Sequence, residues 1–304
     1  AISRLRQPLP LQTNDHYPEL MTMTFIRLLF CTALLTAISS PLFAQTEDPN
    51  NPTILSSEAP TLRFENIGLE DGLAQFTAEN VIQDSLGYMW IATQGGLHRY
   101  NGYEFEVFTS NAFDTTSISS NGSFGIEESS NGDLWVTTTG GGLNRFNRES
   151  QTFTQFAHDP SDSSTVASNN LSFLHQASNG DLWVSSQTNG VSRMPADSSD
   201  YFIRYQHNPD NPNSISTNFV GMITEDANGN IWVASRRGIN RIDPATNEIT
   251  RYLEPVGDSE GASMIVRSQY HPPESPEIVW LVTGNGLVKL NAETGDYTRY
   301  LPDT

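Results

Sequence analysis

The chain has 304 residues, of which 37% are hydrophobic, and its 35 acidic and 16 basic side chains leave a net charge of −19. That length and apolar content allow a sizeable core. The acidity argues against nucleic acid and anionic membrane surfaces as partners, since both reward the opposite sign, and 22 Gly, 17 Pro and few helix formers favour many short strands joined by turns.

In chain order, residues 1–20 carry no hydrophobic periodicity and are expected to be an upstream extension outside the fold. Residues 21–44 have the layout of a secretory signal peptide. Arg27 supplies a positive start, Leu28 to Ile38 a short apolar run, and Ser39 to Ala44 a small-residue cleavage region. The apolar run is short for a membrane span. Cys31, the one cysteine, lies inside it, so the exported chain is expected to hold no disulfide, thiol nucleophile or cysteine-bearing metal site. Export without disulfides suits a bacterial periplasm. Residues 45–60 are polar and proline-rich, the composition of a linker.

A repeat follows. Trp90, Trp135, Trp183, Trp232 and Trp280 recur at spacings of 45, 48, 49 and 48 residues. Nine residues before the first four stand Val81, Ile126, Leu174 and Ile223, and three before stand Gly87, Gly132, Gly180 and Gly229. Three after each of the five comes a hydroxyl: Thr93, Thr138, Ser186, Ser235, Thr283. Nine or ten after comes a cation: Arg99, Arg145, Arg193, Arg241, Lys289. Each copy predicts four short strands: one ending at the aliphatic position, one starting near the Trp, one at GLHRY-like segments and one at EITRY-like segments. NGDLW, which occurs twice, is then the tight hairpin between the first and second strands, with Gly supplying positive φ. Four antiparallel strands in about 48 residues make one β-propeller blade. The fold expected is all-β, a propeller with five visible blades over residues 68–304. Trp90, Trp135, Trp183, Trp232 and Trp280 are expected to be blade core, wedged between sheets.

Two sets of segments should share one face of such a propeller. These are the turns between second and third strands and the links SNAFDTTSISSNG, HDPSDSSTVASNN and HNPDNPNSISTNF. Gln94, Thr139, Gln187, Asn189, Arg236, Arg237 and Asn285 lie on those turns and are candidate contacts for a polar ligand. Arg236 and Arg237 form an adjacent basic pair that suits bidentate bonding to an anionic sugar group.

These residues resemble the two-component regulator propeller repeat: an aliphatic, a D/N-G turn, W-I-G-T, G-L and an R-Y-like pair. Residues 68–108 carry the likeness in EDGL, QDSLGYMW and NGYEF, with WIAT, WVTT and WVSS departing at the usual Gly. HPPESPEIVW in copy five departs at the turn. The resemblance implies the periplasmic sensor of a membrane-anchored, homodimeric hybrid histidine kinase. It also implies a seven-bladed ring closed by a strand at 61–67, a chain that is an N-terminal piece of a longer product, and an oligosaccharide ligand. Competing readings are the sensor of a diguanylate cyclase, a secreted propeller lyase or glycosidase, and a propeller for protein contacts. No catalytic constellation, metal-ligand spacing or cofactor motif is read from the residues: His98, His158, His175, His207 and His271 are scattered, and P-loop, G-x-S-x-G, kinase and cyclase motifs are absent.

Overall fold

The computed structural model describes residues 2–5, 64–253 and 265–301. The expected signal peptide (21–44) and linker (45–60) lie outside the described residues. The chain divides into two units, residues 3–66 and residues 67–304 with 1–2. At the bounds of the first, Ile2–Leu5 and Phe64–Ile67 form a two-stranded sheet.

The second unit holds five antiparallel four-stranded sheets, each built from consecutive strands. Blade one is Ala78–Gln83, Met89–Thr93, Gly96–Tyr100 and Phe105–Phe108. Blade two is Ser123–Glu128, Leu134–Thr138, Gly142–Asn147 and Thr152–Phe156. Blade three is Leu171–Gln176, Leu182–Ser186, Val191–Met194 and Ile203–Tyr205. Blade four is Val220–Glu225, Ile231–Ser235, Gly238–Ile242 and Ile249–Tyr252. Blade five is Val266–Tyr270, Ile278–Thr283, Gly286–Asn291 and Tyr297–Tyr300. First strands of neighbouring blades touch in sequence, which makes them the inner wall.

The first strands of blades one to four run two residues past the aliphatic position at which they were expected to end. The hairpin turns explain the extension, because a carboxylate or amide collects the turn's N–H groups and keeps the ladder intact up to it. In blade one Asp84 Oδ1 accepts from Leu86 and Tyr88 N–H, at 3.0 and 2.9 Å. In blade four Asp226 Oδ1 accepts from Asn228 and Asn230 N–H. Asn131 and Asn179 serve blades two and three, each capping the N–H of the aspartate two residues on. The fifth hairpin, 271–277, is longer and closes through two successive turns instead.

The tryptophans of blades one to four lie against the next sheet, as wedges should. Trp90 clusters with Ile126, Leu134 and Phe146 of blade two, and Trp183 with Ile223, Ile231 and Val233 of blade four. Trp232 meets Val279, Leu281 and Leu290 of blade five. Trp90, Trp135, Trp183 and Trp232 are at most 4% exposed. Trp280 departs from the blade-core expectation and is half-buried, because no described sheet follows blade five; Val282, Leu287 and Tyr300 of that blade are exposed for the same reason.

The repeat's other positions now have physical reasons. The cation faces the indole across the sheet: Trp90 pairs with Arg99, Trp135 with Arg145, Trp183 with Arg193 and Trp280 with Lys289. Those cations sit 5.5 to 5.9 Å from the ring centroids, within cation–π range. The hydroxyl three residues after Trp closes the second turn: Thr93, Thr138, Ser235 and Thr283 donate to the carbonyls of Gly96, Gly142, Gly238 and Gly286. Glycine is required there. Gly238 has φ of +88°, and a Cβ would stand 2.1 Å from the Tyr252 carbonyl oxygen.

Gly238→Ala is therefore expected to cost about 2 kcal/mol or more, seen as a lower urea midpoint. Asp226 Oδ2 also takes the buried Trp232 indole N–H at 2.8 Å. Asp226→Ala orphans that donor and the turn amides, with an expected loss of roughly 1–3 kcal/mol by the same assay.

Candidate functional site

The second-to-third strand turns and the links entering the blades share one face, as expected, and backbone bonds fix them together. Thr139 N–H donates to Gly122 O (2.8 Å), Gln187 to Asn170 (3.4 Å), Arg236 to Phe219 (3.1 Å) and Gly284 to Ile265 (2.9 Å).

The links are ordered ladders of side-chain turns. Each carries Asx, Asx and Ser/Thr at three-residue steps followed by a buried aliphatic: Asn111, Asp114, Ser117, Ile118; Asp159, Asp162, Thr165, Val166; Asn208, Asn211, Ser214, Ile215. The first Asx N–H donates to the Ser/Thr hydroxyl in all three, at 2.9–3.0 Å. Arg204 and Arg251 clamp the second and third links through Thr165 O and Ser214 O. Asp114, Asp159 and Asp162 have carboxyls held below the usual range, first by the hydroxyls of Thr116, Ser161 and Ser164 and then by those residues' N–H groups. These carboxylates stay ionised and engaged in their own loops.

Of the seven predicted residues, Gln94 and Thr139 meet over Gly122: a Cβ there would be 3.0 Å from Gln94 Oε1 and 3.4 Å from Thr139 Cβ. Gln94 Nε2 also reaches Glu79 Oε1 at 3.3 Å. Gln187 is exposed and Asn189 half-buried, with Asn189 Oδ1 accepting from Thr188. Arg236 stacks on Phe219, 4.8 Å from the ring centroid, while Arg237 is exposed beside it. Asn285 is exposed on blade five. Among the described residues, no side-chain hydrogen bond, ion pair or ring contact joins Arg237 or Asn285 to the other five.

The inner wall adds residues that the repeat frame does not single out. Phe124 and Phe173, on neighbouring first strands, meet edge to face at 5.4 Å, and Phe173 Cε2 lies 4.0 Å from where a Cβ on Gly221 would stand. Both phenylalanines lie where the ladder shifts register, between Ser123 and Ile126 and between Leu171 and Leu174. Such bulges re-aim side chains. Phe124 precedes its aliphatic anchor by two residues and Phe173 by one, so a fixed offset cannot find both. Half-buried Met222 and exposed Arg267 occupy the corresponding stretch in blades four and five. The surface is thus an aromatic wall beneath a rim of amides, hydroxyls and guanidinium groups. Among the described residues, no group of three His, Cys, Asp or Glu is placed to hold a metal ion.

Comparison with known proteins agrees with this geometry. Residues 214–237 match the two component regulator propeller family. The extracellular domain of the hybrid two-component system BT3049 of B. thetaiotaomicron superposes with a TM-score of 0.65 at 21% identity, over 77% of this chain and 31% of that one. Virginiamycin B lyase of Staphylococcus aureus superposes with a TM-score of 0.55 at 17% identity, over 79% of this chain and 73% of the lyase. Histidine kinase P4 of Formosa agariphila is 32% identical over 65 residues, which are 21% of this chain and 5% of the kinase. The chain therefore spans about a third of the solved sensor domain and a small part of the kinase. The family match spans the entry and first two strands of blade four, a frame that the other blades repeat, and the chain is a β-propeller that carries a two-component regulator propeller repeat in its fourth blade.

Proposed function

We propose that these blades are part of the ligand-sensing propeller of a membrane-anchored two-component histidine kinase, placed in the periplasm and acting as a homodimer. The ligand is an oligosaccharide held at the mouth. Carrying this reading is the Phe124–Phe173 wall under a polar rim, an arrangement that offers an apolar face to sugar C–H groups and donors and acceptors to their hydroxyls. The family match and the sensor neighbours support the signalling role. Signal output belongs to domains beyond these residues.

The likeness to a lyase is one of fold alone. A catalytic base is best poised near neutral pH, and the link carboxylates Asp114, Asp159 and Asp162 are shifted the other way, below the usual range, by hydroxyl and N–H donors of their own loops. Calorimetry against a panel of plant and algal oligosaccharides, with product analysis on the same mixtures, separates the readings. Stoichiometric binding of a glycan without turnover is expected, and Phe173→Ala should weaken it about tenfold through loss of a stacking face. Turnover of any panel member would replace the sensor reading with an enzymatic one, and the absence of all glycan binding would remove the oligosaccharide.

A further inference from the structure

On the face opposite the mouth, the hairpin turns of neighbouring blades meet, and three of these junctions can be compared position by position. Between blades one and two, Ser85 donates its N–H and hydroxyl to the carboxylate of Glu128, and Arg148 fills the remaining space by bridging Asp84 and Glu128. Between blades three and four, Ser178 makes the same pair of bonds to Glu225, at 2.8 and 2.6 Å. There Arg193 reaches across to Pro244 O at 2.7 Å.

Between blades two and three the serine is present as Ser130, but the glutamate position is occupied by Gln176. No bond joins the two among the described residues. Ala196 stands at the position that Pro244 holds in blade four. Arg145, the counterpart of Arg193, lies over Trp135; the Nε of both is buried and unpartnered, but among the described residues no hydrogen bond of Arg145 matches the one from Arg193 to Pro244 O. The carboxylate nearest Arg145, Asp133, is 4.0 Å away and already receives the Asn131 amide. What remains is a groove of about 320 Å³ lined by Ser130 and Arg145 of blade two and by Gln176, Met194, Pro195 and Ala196 of blade three.

We propose that this groove is a second binding site, distinct from the mouth, for a small organic acid. Its carboxylate lies beside the Gln176 side chain and supplies the charge that Glu128 and Glu225 carry at the flanking junctions, accepting from the Ser130 N–H and hydroxyl and from the Arg145 guanidinium. Its body lies against Met194, Pro195 and Ala196. The volume suits a molecule of sugar-acid size, and a charge-assisted contact to arginine gives the site its preference for an anion.

The internal comparison supplies the test. Gln176→Glu restores the carboxylate that the neighbouring junctions carry, so it should engage the Ser130 donors itself and repel an incoming acid. Butyrate, glucuronate and uncharged glucose are titrated into the 304-residue chain by calorimetry, alongside Gln176→Glu and Arg145→Leu. Binding of at least one of the two acids and not of glucose is expected. Gln176→Glu should abolish it while melting no lower than the parent, and Arg145→Leu should weaken it about tenfold or more. Absence of binding by both acids, equal binding of glucose, or unchanged binding in Gln176→Glu would overturn the proposal. A Gln176→Glu chain that melts lower would also overturn it, since the Ser130 donors would then not be available to a carboxylate.

Discussion

A four-stranded sheet of this length cannot bury its own apolar face, and everything else in the molecule follows from covering that face with the next sheet. The tryptophan opening each second strand is the largest piece of that cover. Around it the remaining repeat positions are satellites: an arginine or lysine over one ring, and in blades one and four an aspartate on the indole N–H. Trp183 has no such acceptor, because Ala177 stands where Asp84 and Asp226 stand in their blades, and its Nε1 is unpartnered. Burial against blade four, Arg193 over the ring and stacking on Tyr205 hold it instead.

The same packing makes the mouth stiff. Second-strand turns are bonded to the links, and the links are bonded to themselves and to Arg204 and Arg251. Loops with so many internal partners have little left to order when a ligand arrives, which lowers the entropic cost of binding. Neighbouring blades meet at shared tryptophan layers. His175 sits at one such layer, within 4 Å of Glu127 on blade two and Glu225 on blade four.

How much of this was legible in the sequence differs by feature. Blade boundaries, hairpin turns and the face shared by turns and links followed from spacing, because the Trp, Gly and hydroxyl anchors each have one local reason to recur. Ends of the first strands were misplaced by two residues, since Asp84 and Asp226 extend the ladder through side-chain bonds that no periodicity reveals. The aromatic wall stayed hidden because a bulge shifts Phe124 and Phe173 out of a common frame. Buried status for Trp280 was assumed from its likeness to the other four, yet burial depends on a neighbouring sheet and not on the residue.

Carboxylate placement across the blades has a consequence for how such a chain can change. One acid serves each of the first four turns, but it stands six residues before Trp in blades one and four and two residues before it in blades two and three. In the first setting it faces the indole N–H; in the second it faces the blade's own arginine in blade three, Arg193, at 2.7 Å. Asp84 also receives Arg148 from the following blade. The repeats look interchangeable in their spacing but are keyed to their neighbours by charge. Duplicating or exchanging a blade by recombination would strand an arginine at the new seam, Arg148 without Asp84 or Arg193 without Pro244 O, so the blades are not interchangeable in order.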